Sequence, residues 1–494
     1  MRHITHWIDG KAADASGART GAVFDPATGR QVAEVEMATA AVVDRAVKGA
    51  AAAGVQWGRM SLTRRMAVLF RFRQLLDDGA GELAAIVTAE HGKVRSDAAG
   101  EVARGLEVVE FACGVAELLK ADHSVDVSTG VDAYTLRQPL GVVAGITPFN
   151  FPAMVPLWMA PLAIACGNSF VLKPSERDPS ASVWLAERWA DAGLPEGVLQ
   201  VVHGDKEAVD AVVAHPQVQA VSFVGSTPVA RAIYQHASAA GKRVQALGGA
   251  KNHLVVMGDA DPDVVADALV NSAYGSAGER CMAVSVAVVV GDGTDALVEK
   301  VADRGARLVV GPGDAPASEM GPLVTRAHLD KVRGYVEAGV QAGAQLVLDG
   351  RQHGHGGDPA GFWLGPTLFD GVRPDMTIYR DEIFGPVLCV MSVGSLDEAI
   401  ALVNANPYGN GAAIFTNDMA AARRFEVEVE AGMVGVNVPI PVPMAYYGFG
   451  GWGASIFGDH DIYGPDGVRF YTRAKKVTAR PLAHRGSLSF PTNQ

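Results

Sequence analysis

The chain has 494 residues and a net charge of −12, and its 54 acidic and 42 basic residues are interspersed, which excludes the basic stripe of a nucleic-acid-binding protein. The four cysteines, Cys113, Cys166, Cys281 and Cys389, form no CxxC pair, so we expect neither a metal site nor a disulfide framework. The first residues lack a signal-peptide core and no apolar run reaches the length of a membrane span, so we expect a cytoplasmic protein without a membrane partner.

Such a length predicts two large domains and a small appendage. From about residue 138, strands are predicted at 140–146, 170–172, 198–202, 220–224 and 244–247, with helices at 153–166, 180–192, 205–214 and 229–239 between them. This alternation is typical of a parallel, doubly wound α/β sheet, which binds ligands beyond the carboxyl ends of its strands.

A second α/β unit is predicted from Leu254 onward, with a helix at 262–275 and strands at 284–290, 387–391 and 412–415. Residues 122–137 alternate around a Ser-Thr-Gly turn and predict a hairpin, and residues 467–479 have a similar strand-like pattern. Paired exposed strands of this kind more often meet a neighbouring subunit than water.

Two other segments have the composition or the residue pattern of a functional motif but are better explained as loops. Residues 350–361 are rich in glycine and histidine, and we interpret them as a surface loop and not as a metal site. Residues 448–453 match the GxGxxG pattern of dinucleotide-binding loops. They follow a proline-rich loop instead of a strand, so they also predict an ordinary loop.

Cys281 ends the run Gly275-Ser276-Ala277-Gly278-Glu279-Arg280-Cys281. Small residues let the backbone come close to a ligand, and the adjacent Arg280 is expected to lower the pKa of the thiol and favour the nucleophilic thiolate. Many cysteines are instead buried structural residues, so the local sequence leaves both interpretations open.

Three further motifs follow predicted strands. Asn150, in Thr147-Pro148-Phe149-Asn150, is either a helix cap or an amide donor to a developing oxyanion. Glu176, in Lys173-Pro174-Ser175-Glu176-Arg177, either lies in a solvated loop or accepts the ribose hydroxyls of a dinucleotide, where it would favour NAD over NADP. Gly225-Ser226-Thr227 opens a helix and suits a pyrophosphate, although many helices begin this way.

These motifs, in this order and together with Glu382-Ile383-Phe384-Gly385-Pro386, resemble the aldehyde dehydrogenase superfamily over nearly the whole chain. The resemblance implies the α/β aldehyde dehydrogenase fold. A Rossmann-like NAD-binding domain would span residues 1–121 and 138–247, an α/β catalytic domain 248–450, and a small β oligomerisation arm 122–137 and 465–490. It also implies a homotetramer, built as a dimer of dimers.

The resemblance assigns roles to individual residues as well. Cys281 would be the catalytic nucleophile, and Asn150 would form the oxyanion hole with the backbone N–H of Cys281. Lys173 and Glu176 would lie at the adenosine ribose of NAD, and Glu382 at the nicotinamide ribose. The full set of implied cofactor-binding residues is Thr147, Phe149, Lys173, Glu176, Arg177, Ser226, Gly248 and Glu382.

One segment departs from the superfamily pattern. Most members have Glu-Leu-Gly-Gly-Lys, whose glutamate activates the hydrolytic water, whereas this chain has Gln245-Ala246-Leu247-Gly248-Gly249-Ala250-Lys251. Leu247, or Ala246 after a one-residue slip, takes the place of the glutamate, and no Asp or Glu occurs between Asp210 and Asp259. General-base help is typically worth roughly 10²–10⁴-fold in rate, so an acyl-enzyme here should resist water and stay open to another nucleophile.

The run GAKNH, followed by GSAGERCMA, is similar to the CoA-acylating branch of the superfamily, the methylmalonate-semialdehyde dehydrogenases. This implies NAD-dependent oxidative decarboxylation of methylmalonate or malonate semialdehyde to propionyl-CoA or acetyl-CoA, in valine or inositol breakdown, with coenzyme A as co-substrate. The resemblance also singles out Arg104 and Arg280 as ligands of the substrate carboxylate. Without it, Arg104 is explained more simply as a helix-surface residue paired with Glu101 or Glu107.

Other functions stay open from the sequence. A hydrolytic semialdehyde dehydrogenase, which releases the free acid, would need a base from elsewhere in the chain. A non-enzymatic scaffold would usually lose the nucleophile, yet Cys281 and Asn150 are both present. His253, inside the GAKNH motif, is explained at least as well by a structural role as by proton transfer.

Overall fold

The computed structural model describes residues 1–14, 17 and 19–480, so residues 481–490 of the predicted arm lie outside the described part. The chain begins with five strands, four long helices and a short one, and an antiparallel hairpin. These are β1 (Arg2–Ile4), β2 (His6–Ile8), β3 (Lys11–Ala13), β4 (Thr20–Asp25), β5 (Arg30–Glu36), α1 (Ala40–Arg59), α2 (Leu62–Asp78), α3 (Ala80–His91), α4 (Arg95–Cys113), α5 (Val115–Leu118), β6 (His123–Ser128) and β7 (Val131–Pro139).

Strands and helices then alternate, as the sequence predicts. They are β8 (Val142–Ile146), α6 (Met154–Ala165), β9 (Ser169–Lys173), α7 (Ser180–Asp191), β10 (Leu199–Val201), α8 (Lys206–Ala214), β11 (Val218–Val224), α9 (Thr227–Ala239), β12 (Arg243–Leu247), β13 (Asn252–Val256), α10 (Pro262–Tyr274), β14 (Val284–Val290), α11 (Thr294–Arg307), α12 (Arg326–Gln341), β15 (Gln345–Leu348), β16 (Thr367–Asp370), α13 (Thr377–Arg380), β17 (Val387–Val393), α14 (Leu396–Asn404), β18 (Tyr408–Gly409), β19 (Gly411–Phe415), α15 (Met419–Glu428), β20 (Met433–Val436), β21 (Trp452–Gly453), β22 (Ile456–Phe457), α16 (Gly464–Phe470) and β23 (Thr472–Ala479).

The first large sheet has the strand order β22-β12-β11-β8-β9-β10-β2-β3. Its five central strands, β12 to β10 in this order, are parallel, and the added strands at both edges are antiparallel. Strands β8 and β9 are buried along their whole length because helices cover both faces of the sheet. The predicted doubly wound arrangement is therefore confirmed.

The second large sheet has the order β15-β16-β17-β14-β13-β19-β20, and every strand except β15 runs parallel to its neighbours. Its strands and helix α10 match the predicted positions closely. The segment 448–453 contains only the two-residue strand β21, in agreement with the loop interpretation. The boundaries given above for the two domains and the arm remain a prediction.

The predicted hairpin is present, and β7 pairs on its other side with β23, from Pro139 opposite Thr472 to Asp132 opposite Ala479. The expectation of a strand over 467–479 is wrong in its first part, because residues up to Phe470 belong to α16. Pro465 fits the first turn of this helix, and Val468 and Phe470 are buried in the core that α6 also enters. No described helix is long and apolar enough to cross a membrane.

Asn168 joins three parts of the first unit through a fully buried side chain. Its Oδ1 accepts hydrogen bonds from the backbone N–H groups of Leu140 (2.7 Å) and Gly141 (3.1 Å). Its Nδ2 donates to the carbonyls of Ala163 (3.0 Å) and Tyr471 (2.9 Å). The start of β8, the end of α6 and the chain segment before β23 are therefore fixed by one amide group.

We expect Asn168→Ala to lower the melting temperature by about 5 °C or more, because each buried backbone group left without a partner costs about 1–3 kcal/mol. Differential scanning fluorimetry measures the change. Asn404→Ala is the matched control, since its amide bonds two backbone groups near solvent, at Glu428 and Glu430, where water replaces it. Equal losses in the two variants would contradict this role of Asn168.

Candidate active site

Three adjoining cavities lie where the carboxyl ends of the parallel strands of the first sheet face the second unit. The first, of about 940 Å³, is lined by residues that follow β8, β9 and β11, among them Thr147, Lys173, Glu176, Gly225 and Ser226. The central cavity, of about 410 Å³, shares Gly225 and Ser226 with the first and is lined further by Phe149, Asn150, Arg177, Gly248, Cys281 and Glu382. The third, which we call the arginine cavity, measures about 240 Å³ and is lined by Asp97, Glu101, Arg104, Arg280 and Cys281, among others.

Cys281 lines both the central and the arginine cavity. The turn before it is a short 3₁₀ segment, Gly275–Gly278, in which Ser276 and Ala277 have φ of 49° and 52°. Residues with side chains rarely adopt this left-handed conformation. The turn is held by Asp97, whose Oδ2 accepts from both the backbone N–H and the hydroxyl of Ser276, each at 2.9 Å.

The backbone of Cys281 is fixed from its other side by two asparagines. The carbonyl oxygen of Cys281 accepts hydrogen bonds from Nδ2 of Asn252 (2.9 Å) and from Nδ2 of Asn410 (3.0 Å). Asn252 begins β13, and Asn410 immediately precedes β19, so two neighbouring strands of the second sheet anchor the cysteine. The position of the thiol is therefore set by the second sheet and by α4 together.

The expectation that Arg280 lowers the pKa of the Cys281 thiol is wrong in its net sign. Burial raises this pKa to about 12, and the nearby carboxylate of Glu382 adds to the increase. The backbone N–H groups of Cys281 and Met282 and the guanidinium of Arg280 act in the opposite direction but do not compensate. The thiol is consequently in its protonated form at neutral pH in this structure.

Asn150 is not the cap of the following helix. Helix α6 begins at Met154, and its first N–H groups, those of Ala153 and Met154, donate to Oε1 of Glu101 at 2.8 and 3.1 Å. The backbone carbonyl of Asn150 accepts from Nζ of the buried Lys93 at 2.6 Å. Asn150 lines the central cavity, as does Cys281, and its role in an oxyanion hole remains a prediction.

The first cavity has the features that a dinucleotide requires. The buried hydroxyl of Thr147 has no hydrogen-bond partner among the residues that the structure describes. Lys173 Nζ bonds the carbonyl of Gly204 (2.9 Å) and lies 3.4 Å from Oε2 of Glu176. Ser226 directly precedes α9, whose N-terminal N–H groups favour an anion. These groups fit the hydroxyls and phosphates of the cofactor that the sequence predicts.

The central cavity brings together the remaining residues of that set. The guanidinium of Arg177 lies 4.9 Å from the centre of the Phe149 ring. Oε1 of Glu382 accepts from the N–H of Ala250 (2.9 Å), and burial raises the pKa of this carboxyl. Gly248 is close-packed, because a Cβ there would lie 2.8 Å from the hydroxyl of Thr227 and 2.9 Å from the carbonyl of Ala454.

Both predicted arginines line the arginine cavity, and each has an acidic partner. Arg104 Nη1 lies 2.8 Å from Oε2 of Glu107, which is one of the two partners expected, and its Nη2 donates to the carbonyl of Val442 (3.1 Å). The other expected partner, Glu101, instead pairs with Lys93 at 2.8 Å. Arg280 Nη2 lies 2.6 Å from Oδ1 of Asp97.

His253 is a structural residue, because burial lowers its pKa to about 3 and its Nε2 lies 3.2 Å from the hydroxyl of Tyr379. Sequence reasoning missed Lys93, Asp97, Glu101, Asn252 and Asn410. A signal existed for part of this set: Asp97, Glu101 and Arg104 have the spacing that places residues on one face of a helix. All three line the same cavity.

Comparison with known proteins agrees with this geometry. The family model described as "Aldehyde dehydrogenase family" matches residues 13–477. The chain belongs to the aldehyde dehydrogenase family. Its fold is accordingly the aldehyde dehydrogenase fold, as the motifs in the sequence predicted.

This aldehyde dehydrogenase is similar to proteins with more specific names. It is 55% identical over 481 residues to malonate-semialdehyde dehydrogenase of Pseudomonas aeruginosa, with 97% of each chain covered. The crystal structure of methylmalonate-semialdehyde dehydrogenase from Oceanimonas doudoroffii superposes with a TM-score of 0.95 at 51% identity, covering 98% of this chain and 99% of the other. A structure from Sinorhizobium meliloti, complexed with NAD, gives a TM-score of 0.97 at 49% identity, with 98% and 99% covered.

We expect the alkylation of Cys281 by iodoacetamide to accelerate about tenfold per pH unit from about pH 7 to about pH 10, because only the thiolate reacts and a raised pKa keeps it scarce. Peptide mass spectrometry after timed labelling of the native enzyme measures the rate at Cys281 separately from the other cysteines. The denatured chain is the control, and there the rate should level off near the ordinary thiol pKa of 9.0. A plateau at neutral pH in the native enzyme would show that its thiolate is stabilised after all.

Proposed function

We propose that this aldehyde dehydrogenase is an NAD-dependent, CoA-acylating malonate- or methylmalonate-semialdehyde dehydrogenase. The observation that carries the proposal is the position of Cys281. It separates a cavity lined by residues suited to a dinucleotide from a cavity that holds two arginines. The names of the similar P. aeruginosa and O. doudoroffii enzymes support the same substrate class.

Two of the three cavities would hold the cofactor. The half-exposed carboxylate of Glu176 suits two ribose hydroxyls and would repel the 2′-phosphate of NADP. The S. meliloti structure with NAD supports this choice. When bound, NAD accepts the hydride from the substrate. The residues proposed to hold it are Thr147, Phe149, Lys173, Glu176, Arg177, Ser226, Gly248 and Glu382.

Cys281 is the proposed nucleophile, and its sulfur attacks the aldehyde carbon after the thiol loses its proton. The oxyanion that forms would accept hydrogen bonds from the side-chain amide of Asn150 and from the backbone N–H of Cys281. The backbone carbonyls of both residues are fixed by hydrogen bonds, that of Asn150 by Lys93 and that of Cys281 by Asn252 and Asn410. Loss of the hydride leaves a thioester on Cys281.

Arg104 and Arg280 are proposed to bind the substrate carboxylate during this step. The thioester carbonyl then accepts the electrons that loss of CO₂ releases, and the resulting enolate takes up a proton. The thiol of coenzyme A attacks the thioester carbonyl, and the sulfur of Cys281 leaves and regains a proton as the thiol of coenzyme A loses one. Leu247 ends strand β12 as a buried side chain, so it offers no base to a hydrolytic water. The resulting products are acetyl-CoA or propionyl-CoA.

Glu382 is the carboxylate on which the hydrolytic alternative would depend. It lines the central cavity, as Cys281 does, and its pKa is raised by burial. Because Glu382 is also proposed to hold the nicotinamide ribose, water activation would require it to leave that position. The CoA-acylating reaction needs no such movement.

We further propose a homotetramer in the cytoplasm. The three-stranded sheet β23-β7-β6 is mostly exposed and presents Val125 and Val127 on its outer strand, which suits contact with a second subunit. The four cysteines are free, which suits a reducing compartment.

The CoA-acylating activity is tested by following NADH formation from malonate semialdehyde with and without coenzyme A. We expect turnover to require coenzyme A and to yield acetyl-CoA, because Leu247 offers no base and the nearby carboxylate of Glu382 is proposed to hold the nicotinamide ribose. Without coenzyme A, a single burst equal to the number of active sites should appear. Sustained turnover to a free acid without coenzyme A would establish the hydrolytic reaction instead.

Replacement of the first arginine tests the carboxylate contact. Arg104→Leu should raise KM for malonate semialdehyde about tenfold or more, because a charge-assisted hydrogen bond is lost, and should leave propanal oxidation nearly unchanged. Steady-state kinetics with both aldehydes measures the difference. Arg423→Leu is the matched control, since Arg423 also pairs with a glutamate three residues later, Glu426, on the remote helix α15. Equal effects of Arg104→Leu on both aldehydes would count against the assignment.

A further inference from the structure

We propose that Asp97, Ser276 and Gly275 form a socket that orients the guanidinium of Arg280 and thereby determines the preference for aldehydes with a carboxylate. The proposal rests on the function proposed above, in which Arg280 binds that carboxylate. It adds three residues that act through Arg280. They are positioning residues, and Arg280 is the group that touches the substrate.

Two of the socket residues bind Arg280 directly. Oδ1 of Asp97 accepts from Nη2 of Arg280 at 2.6 Å, and the hydroxyl of Ser276 accepts from its Nε at 3.2 Å. The same hydroxyl donates to Oδ2 of Asp97 at 2.9 Å, so the three side chains form a closed set of hydrogen bonds. A guanidinium has five N–H donors, so three remain beyond these two hydrogen bonds, and Arg280 lines the arginine cavity.

Gly275 leaves room for the guanidinium because it has no side chain. A Cβ at this position would lie 2.6 Å from Nη1, 2.8 Å from Cζ and 2.9 Å from Nη2 of Arg280. The end of the Arg280 side chain therefore occupies the space that a Cβ at Gly275 would take. The backbone of Gly275 has φ −53° and ψ 137°, which alanine also adopts. Glycine is therefore required here by the contact with Arg280 and not by the backbone conformation. From the sequence, this glycine was expected to let the backbone come close to a ligand, whereas the structure places Arg280 there.

The charges in the arginine cavity explain why orientation matters. Arg280 pairs with Asp97, Arg104 with Glu107, and Lys93 with Glu101. The positive charges are therefore largely balanced, and a substrate carboxylate gains little from the net field. It must be recognised by directed N–H donors, whose strength falls steeply when the donor is misaligned. By fixing the orientation of the guanidinium, the socket therefore determines the preference of the enzyme for aldehydes with a carboxylate over aldehydes without one.

Two substitutions disturb the socket in different ways. Gly275→Ala removes no polar group, and its added methyl group displaces the guanidinium of Arg280. Asp97→Asn keeps an oxygen for Ser276 and puts an amide NH₂ group opposite Arg280, where it repels the arginine donors. Gly81→Ala is the matched control for the first, because a Cβ at Gly81, in helix α3, meets nothing within 4 Å.

The experiment measures kcat and KM of the NAD-saturated enzyme with malonate semialdehyde and with propanal, each in the presence of coenzyme A. We expect both socket variants to raise KM for the semialdehyde about tenfold or more. Gly275→Ala should change propanal turnover less than about twofold. Asp97→Asn also loosens the turn before Cys281, so it should lower kcat with both aldehydes alike while raising KM for the semialdehyde alone. In the Arg280→Leu background, Gly275→Ala should have no further effect, because the group that it displaces is absent. Gly81→Ala should match the parent enzyme with both substrates.

The outcomes separate the socket from the function on which it rests. If Arg280→Leu impairs both aldehydes equally, Arg280 is not the carboxylate ligand, and the socket loses its purpose. If Arg280→Leu is selective but Gly275→Ala and Asp97→Asn leave the preference unchanged, the socket alone is disproved. If Asp97→Asn lowers kcat with both aldehydes alike but leaves KM for the semialdehyde unchanged, Asp97 acts only through the turn before Cys281, and the proposal is overturned for that residue.

Discussion

The buried ion pair between Lys93 and Glu101 holds the parts of the site together. Two charges removed from water are costly unless other hydrogen bonds satisfy them. Here Nζ of Lys93 also bonds the carbonyl of Asn150, and Glu101 receives the first N–H groups of α6, where a negative charge is favoured. Loss of one partner from such a pair typically costs about 3–5 kcal/mol. Through this pair, α4 fixes the loop that carries Asn150.

Helix α4 therefore organises both halves of the proposed reaction site. One of its faces carries Asp97 toward the turn before Cys281, Glu101 toward the Asn150 loop, and Arg104 toward the arginine cavity. The second sheet meets the same point from the other side through Asn252 and Asn410. The turn before the nucleophile is thus fixed by α4 and its carbonyl by the second sheet, and its geometry depends on how these elements pack together.

Strand alternation predicted the two α/β units, because it is a local pattern. The resemblance to aldehyde dehydrogenases, carried by motifs in a fixed order, singled out Asn150, Arg280 and Glu382, which lie near Cys281. The sequence did not predict α1 to α3, although the buried positions of α1, such as Val43 and Ala50, have helical spacing. The thiol pKa was predicted with the wrong sign, since adjacency to Arg280 says nothing about burial or about Glu382, a hundred residues away in the chain. The partner of Arg280 was missed for the same reason: Asp97 is distant in sequence, and only the tertiary packing of α4 brings it there.

Strand β22 delays the completion of the first sheet during translation. It pairs with β12 at the edge of the first sheet, Ala246 opposite Phe457, and so belongs to a unit whose other strands are synthesised much earlier. β12 emerges from the ribosome with one edge unpaired, and this edge stays without β22 while the second sheet is translated. An open edge of this kind recruits other strands. The nascent chain therefore exposes this end of β12 until Ile456 and Phe457 have been synthesised and can pair with Leu247 and Ala246.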